Sequence, residues 1–205
     1  RTAPDGGVTD YLFEYDDTNK QFVSKSTGPE IAAGRRVEEH IHNRVGKLVR
    51  RIVNGRTEES VQYDTGARAE MNTNARGFTT RTIKNEFEQV VEVAQPDGTS
   101  VKRSYSVLHM QLTEQTDELG IKTQYQYDAK GNLLKKIEAA ATSDERVIEY
   151  EISSLGKITK VSRKGRLEAT GTMTPDATWQ IEYDDRGQIK KTVDPEGSIR
   201  QYAYD

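Results

Sequence analysis

The stretch Ile121-Lys-Thr-Gln-Tyr125-Gln-Tyr127-Asp128-Ala-Lys-Gly131-Asn-Leu133 reads as a strand that runs into a tight turn. Ile121, Thr123, Tyr125 and Tyr127 fall on one face and Lys122, Gln124 and Gln126 on the other, the period of two that marks a half-buried strand. Asp128 suits the first position of a type I turn, where its carboxylate accepts a backbone N–H. Gly131 tolerates the left-handed conformation that returns the chain. Leu133 restarts the apolar pattern, so the stretch predicts a β-hairpin.

The same phrase, an aromatic or apolar residue, any residue, Tyr and Asp, recurs along the chain. It stands as Phe13-Glu-Tyr15-Asp16, Val61-Gln-Tyr63-Asp64, Ile181-Glu-Tyr183-Asp184 and Tyr202-Ala-Tyr204-Asp205. Weaker copies end at Asn43, Asn85, Ser106 and Ser153. Numbered by the Asp-like residue the steps are 27, 21, 21, 21, 22, 25, 31 and 21 residues, a period that marks a repeat architecture. A residue that accepts positive φ follows three positions later at Asn19, Gly46, Gly131, Gly156 and Gly187. A second breaker closes each unit at Asn54-Gly55, Pro96-Asp-Gly98, Leu119-Gly120, Lys164-Gly165 and Pro195-Glu-Gly197. Two strands per unit predict an all-β, continuous antiparallel meander of roughly 18 short strands over residues 1–205, about nine repeats of ~21 residues with no linker between domains. The last strand is expected over Ile199–Tyr204. Helix signals are confined to Glu30-Ile-Ala-Ala and Glu138-Ala-Ala-Ala-Thr, each a turn or two at most, and 139–144 and 167–176 read as longer loops.

Composition fits a thin fold. The chain has 205 residues with 30 Lys+Arg against 33 Asp+Glu, a net charge of -3, and a mean hydropathy of -0.84. Leu, Ile, Val and Phe together make up only about a fifth of it, near the disordered range, and ten Tyr argue instead for a folded chain with little core. There is no cationic excess to serve nucleic acid or an anionic membrane, no apolar run of membrane-spanning length, and no cysteine for disulfides, thiolate zinc sites or thiol catalysis. The first residue is Arg1, which suggests a piece of a longer protein.

The Tyr125-Gln-Tyr127-Asp128-x-x-Gly131-x-Leu133 phrase, with Asp194-Pro-Glu-Gly197 as a spacer before the next repeat, resembles the YD repeats of Rhs proteins, of toxin-complex C subunits and of teneurins. The resemblance implies a strip of β-sheet that curves and spirals into a hollow shell, and in bacterial members a shell around a toxic C-terminal part of the polypeptide. It implies that Tyr15, Asp16, Tyr63, Asp64, Tyr125, Tyr127, Asp128, Gly131, Tyr183, Asp184, Gly187, Tyr202, Tyr204 and Asp205 are structural repeat residues. Stacked tyrosines would cover neighbouring strands with their hydroxyls wet.

No constellation points to catalysis. His40 and His42 share a strand face, yet they replace the two tyrosines of the repeat and no third ligand follows, so no metal site is expected. The acidic pairs at Asp16-Asp17, Glu38-Glu39, Glu58-Glu59 and Asp184-Asp185 point to opposite faces of strands or serve turns. Phosphate-loop, dinucleotide and nucleophile-elbow motifs are missing from the sequence. Basic runs at Arg50-Arg51 and Lys135-Lys136 read as cross-strand charge pairs. Trp179, Tyr183, Tyr202 and Tyr204 are the candidates for stacking on a glycan.

The expectation is therefore a non-catalytic wall segment without cofactor, secreted or at the surface of a bacterium. Its partners would be the rest of its own chain and an enclosed toxin cargo, with self-association by strand addition near 198–205. The alternative is an extracellular recognition module that binds glycan or protein through the sheet face. A β-propeller, at two units per blade, is disfavoured because every unit carries the same turn.

Overall fold

The computed structural model describes residues 8–29, 34–166, 168 and 171–205. The candidate helical turn at 30–33 lies outside them. Among the described residues all seventeen elements are strands, and the chain divides into two compact units, 1–100 and 101–205.

The first unit holds β1 (Asp10–Asp16), β2 (Gln21–Thr27), β3 (Val37–Asn43), β4 (Leu48–Val53), β5 (Arg56–Asp64), β6 (Ala69–Asn74), β7 (Thr79–Lys84) and β8 (Val90–Ala94). From β1 to β7 each pairs antiparallel with the next. The second holds β9 (Ser100–Tyr105), β10 (Leu112–Thr116), β11 (Lys122–Tyr127), β12 (Leu133–Glu138), β13 (Arg146–Ile152), β14 (Ile158–Arg163), β15 (Ala177–Tyr183), β16 (Ile189–Val193) and β17 (Ile199–Gln201), paired in the same way. The all-β antiparallel meander read from the alternation is the observed fold. The last strand is shorter than expected: β17 stops at Gln201, and Tyr202-Ala-Tyr204-Asp205 is not strand. Its only partner among the described residues is β16, whose pairing with it begins at Lys191, so only the Tyr202 N–H to Lys190 carbonyl bond continues beyond the ladder.

Turn chemistry explains the meander. Asp128 donates its N–H to the Asn132 carbonyl at 2.9 Å, and its carbonyl accepts the Gly131 N–H at 3.0 Å. Its Oδ1 also accepts the N–H groups of Lys130 and Asn132. Asn43, Asn74, Asn85, Gln95, Asp117, Ser153, Asp184 and Asp194 head turns with the same backbone pair. The second breakers at Pro96-Asp-Gly98, Leu119-Gly120 and Pro195-Glu-Gly197 are thus the same turn on the opposite edge: Asp117 and Asp128 lie 11 residues apart and close β10–β11 and β11–β12, whereas Lys164-Gly165 makes no such turn and opens the longer connection from β14 to β15. Asn54-Gly55 instead makes a two-residue hairpin with both residues at positive φ, 50° and 78°.

Asn19 does not hold the left-handed position. The residue at positive φ is Lys20 (φ 54°), because Asp16 pairs directly with Gln21 and the loop holds four residues. Asp64 pairs with Ala69 and places Arg68 (φ 48°) likewise. Without the extra bulged residue of the Asx-x-x-Gly turn, the left-handed position moves one step along.

Very little is buried. Among the described residues the buried apolar side chains are Val61, Ala69 and Ala140, and none is fully enclosed. The accessible surface is 14350 Å², against ~9,700 Å² for a compact monomer of this mass. Stability must come from ladder bonds, turns and neighbour contacts. In the second unit, register puts Tyr127, Tyr150, Trp179 and Tyr183 on one face. On the other, Glu149 pairs with Lys135 and Lys164, Glu151 with Lys160 and Glu182 with Lys191.

Candidate functional site

Within each unit, Tyr63, Tyr127 and Tyr183 and the Asp residues that follow them lie at the edge where odd-numbered strands turn into even-numbered ones. There the ladder slips by one residue, at His42/Leu48, Tyr105/Leu112 and Ile152/Ile158. A β-bulge of this kind leaves a backbone group without its ladder partner. The tyrosine before the next odd-strand turn reaches back to that point. Tyr63 Oη donates to the Leu48 carbonyl at 2.9 Å, Tyr127 Oη to Leu112 at 2.8 Å and Tyr183 Oη to Ile158 at 2.8 Å. Each bond joins neighbouring hairpins on the edge where no turn connects them.

A second contact accompanies each. The residue just before the bulge covers the next tyrosine or reaches the next turn. Lys47 Nζ lies 4.8 Å from the Tyr63 ring centroid and Lys157 Nζ 4.9 Å from that of Tyr183. Lys157 also donates to the Gly187 carbonyl, and Gln111 Nε2 donates to the Gly131 carbonyl at 2.6 Å. Gly131 (φ 87°) and Gly187 (φ 77°) thus meet two demands, the left-handed backbone and the space these side chains occupy. A Cβ would come 3.3 Å from Gln111 Nε2 and 2.5 Å from Lys157 Nζ respectively.

Tyr63, Tyr127 and Tyr183 therefore do not keep their hydroxyls wet. Ring contact between neighbouring aromatics occurs at Tyr15 and Phe22, 4.9 Å apart, and Tyr63, Tyr127 and Tyr183 are half-buried with hydroxyls bound to carbonyls. Burial pushes the Tyr63 and Tyr127 hydroxyls above the ordinary value of 10.0. Hydrogen bonds hold the Asp128 carboxyl below 3.8, first from the Asn132 amide and then from backbone N–H groups. Asp16 is lowered in the same way, chiefly by Asn19. Tyr125 is half-buried two residues from Tyr127, Asp64 accepts the Ala67 N–H, and Asp184 accepts those of Arg186 and Gln188. Of the glycan candidates, Tyr183 is engaged by Ile158 and Lys157, Tyr202 and Tyr204 follow the last strand, and Trp179 stands on the face of β15, 37% exposed.

His40 and His42 share a face, with ring centroids 6.4 Å apart. Glu38 precedes them on that face and accepts from Arg36 and Arg51 besides His40. Arg51 links onward to Glu59, which Asn72 contacts at 2.5 Å, a polar stripe across four strands. Among the described residues no three His, Asp or Glu converge on a metal position. The Lys135–Glu149 pair crosses strands, whereas Lys136 pairs with Glu138 on its own strand at 2.6 Å.

These features define a class: hairpin-repeat meanders whose neighbouring hairpins are tied by tyrosine–carbonyl bonds. Residues 109–143, which contain β10, β11 and β12, match the RHS repeat family, so the chain carries an RHS repeat and the resemblance to YD/Rhs proteins holds there. No curated protein matches the sequence. Among solved structures the chain is similar to the TcdB2-TccC3-Cdc42 crystal structure (13% identity, 98% of this chain and 14% of that chain, TM-score 0.50). It is similar also to TcdB2-TccC3 without its hypervariable C-terminal region (14% identity, 91% and 11%, TM-score 0.57). A third is a Photorhabdus luminescens Tc holotoxin pore with a mutated TccC3 (13% identity, 92% and 10%, TM-score 0.57). The chain thus spans a small part, 10–14%, of these much longer chains. At such identity the likeness concerns the fold, and together with the RHS repeat it supports a shell-like structural role.

Proposed function

We propose that residues 1–205 form one YD/Rhs-repeat region and serve as a wall segment of an Rhs or toxin-complex-type shell, acting by enclosure and not by catalysis. The wall shields a toxin or other cargo polypeptide from solvent and proteases. The cargo and the remainder of the shell are further parts of the same secreted bacterial polypeptide.

The observation that carries this reading is the hydroxyl latch at Tyr63, Tyr127 and Tyr183. It fastens hairpin to hairpin without a shared apolar core, which is what a sheet one layer thick requires. A compact enzyme would need a thicker interior to hold catalytic groups in place.

Limited proteolysis of the full-length polypeptide that contains this chain tests the proposal. Cargo sequence is expected to survive in the native protein and to be digested once Tyr127→Phe and Tyr183→Phe loosen the wall. Cargo digested equally fast with and without an intact wall would refute enclosure.

A further inference from the structure

The charge ladder of the second unit has one exception. On one face of β12–β16, Lys135, Lys160, Lys164 and Lys191 each lie within 3.5 Å of a carboxylate. On the other, Arg146, Arg163 and Arg200 make no ion pair among the described residues. Register makes them one face: Arg163 is paired with Ile148, two residues from Arg146, and with Ala177, two residues from Trp179. Arg200 is paired with Thr192, which is paired with Ile181. Like charges on neighbouring strands cost stability when nothing compensates them. The nearby acids are already engaged: Glu138, opposite Arg146, is held by Lys136, Asp176 by Lys164 and the Gly165 N–H, and Asp194 by its own turn. Glu145, which accepts the Ala141 N–H, and Glu196 remain at the rim.

Two depressions adjoin on this face. One is lined by Arg146 and Arg163, the other by Trp179, Thr192 and Arg200, and Pro195 and Glu196 belong to both. The chain's one tryptophan thus lies between uncompensated arginines. Arg163 and Arg200 are three strands apart, about 14 Å at the ~4.8 Å spacing of a sheet, a length that two or three linked sugar rings cover.

We propose that this face binds an acidic saccharide, with a sugar ring stacked on Trp179 and its carboxylate or sulfate groups held by Arg163 with Arg146 on one side and Arg200 on the other. The indole offers a flat apolar face, and guanidinium groups bind carboxylate and sulfate through paired N–H donors. An acidic peptide fits less well. Peptides dock on sheets chiefly through backbone bonds at an edge, whereas this site lies on a face whose backbone groups are spent in the ladder. The inference is independent of the wall reading, since a wall needs no ligand, so its failure would leave that reading standing.

Trp179 reports the test directly as the only indole in the chain. The full chain is titrated at low salt with tetragalacturonate, and separately with a heparin tetrasaccharide, while tryptophan emission is followed. A saturable change with either is expected; binding of tetragalacturonate would show that carboxylates suffice, and binding of the heparin tetrasaccharide alone that sulfate is required. The paired variant Arg146→Gln/Arg163→Gln should weaken it about tenfold or more, and Lys135→Gln on the opposite face should not. Trp179→Leu, followed by calorimetry, should weaken it similarly, with unchanged circular dichroism showing that the sheet persists. Failure of both saccharides to produce a saturable change would overturn the proposal. So would equal binding of neutral cellotetraose or of an oligoglutamate of the same charge.

Discussion

Tyr127 has two things to lose. One is its own hydroxyl bond to Leu112 and the other is the register that this bond fixes between neighbouring hairpins. Removing only the oxygen, in Tyr127→Phe, should cost about 0.5–1.5 kcal/mol, the net value of one such bond where water can still reach the carbonyl. Tyr125→Phe should cost measurably less in the same urea titration; equal losses would mean that ring packing, not the hydroxyl, holds the repeat. The glycines make a sharper comparison. At Gly98 (φ 90°) an added methyl carbon would meet nothing within 4 Å, whereas at Gly187 it would stand 2.5 Å from Lys157 Nζ. Gly98→Ala should therefore cost about 1 kcal/mol from backbone strain, and Gly187→Ala about 2 kcal/mol because Lys157 also leaves the Gly187 carbonyl and the Tyr183 ring. Matching unfolding midpoints for the two would remove the second demand on Gly187. The latch was not legible in the sequence. Tyr183 and Ile158 are 25 residues apart, and their meeting depends on a bulge whose register no local pattern reveals.

At the scale of the element, hairpin and turn were legible because Asx-x-x-Gly carries its own hydrogen-bond logic: a short side-chain acceptor at one end and a left-handed residue at the other. What escaped was that both edges use this turn, since Tyr precedes only the odd-strand copies and imposes a 21-residue period on the pattern. Gln95-Pro-Asp-Gly98, Asp117-Glu-Leu-Gly120 and Asp194-Pro-Glu-Gly197 could have shown the 10–11-residue half period. The turns at Asp16 and Asp64 escaped for another reason. Their four-residue loops use Lys20 and Arg68 at positive φ, which residue preference does not favour. The Asn85 turn offers a test, because Glu88 (φ 61°) stands where its relatives have glycine. Glu88→Gly should raise stability by roughly 0.5–1 kcal/mol, the left-handed strain relieved less the entropy glycine loses on folding. A lower melting temperature for this variant would show that the turn tolerates a side chain without strain.

For the whole molecule, a sheet with three buried apolar side chains among its described residues depends on its carboxylates. Hydrogen bonds hold Asp97 and Asp128 below 3.8, and Glu114, Glu149 and Glu182 below 4.5, led by Thr99, Asn132, Gln124, Lys164 and Lys191 respectively. A carboxyl whose folded pKa is depressed contributes stability above its unfolded value and loses it as pH falls through the folded one. Melting temperature should therefore be level above about pH 5 and fall steadily below about pH 4. A curve that stays flat to pH 3 would mean that these bonds contribute nothing. The tyrosines act in the opposite sense. With folded values raised above 10.0, Tyr63 and Tyr127 contribute fully below pH 10 and lose that contribution as pH rises through the raised values.

Without a common core, each hairpin should be stabilised by its neighbours alone, so that damage stays local as in other repeat proteins. Native-state hydrogen exchange on the intact chain and on Tyr127→Phe measures this directly, strand by strand. Amides of β10, β11 and β12 are predicted to lose protection while β14–β17 keep theirs. Equal loss across β9–β17 would contradict the account, because it would mean that the strands share one cooperative interior and are not fastened hairpin to hairpin.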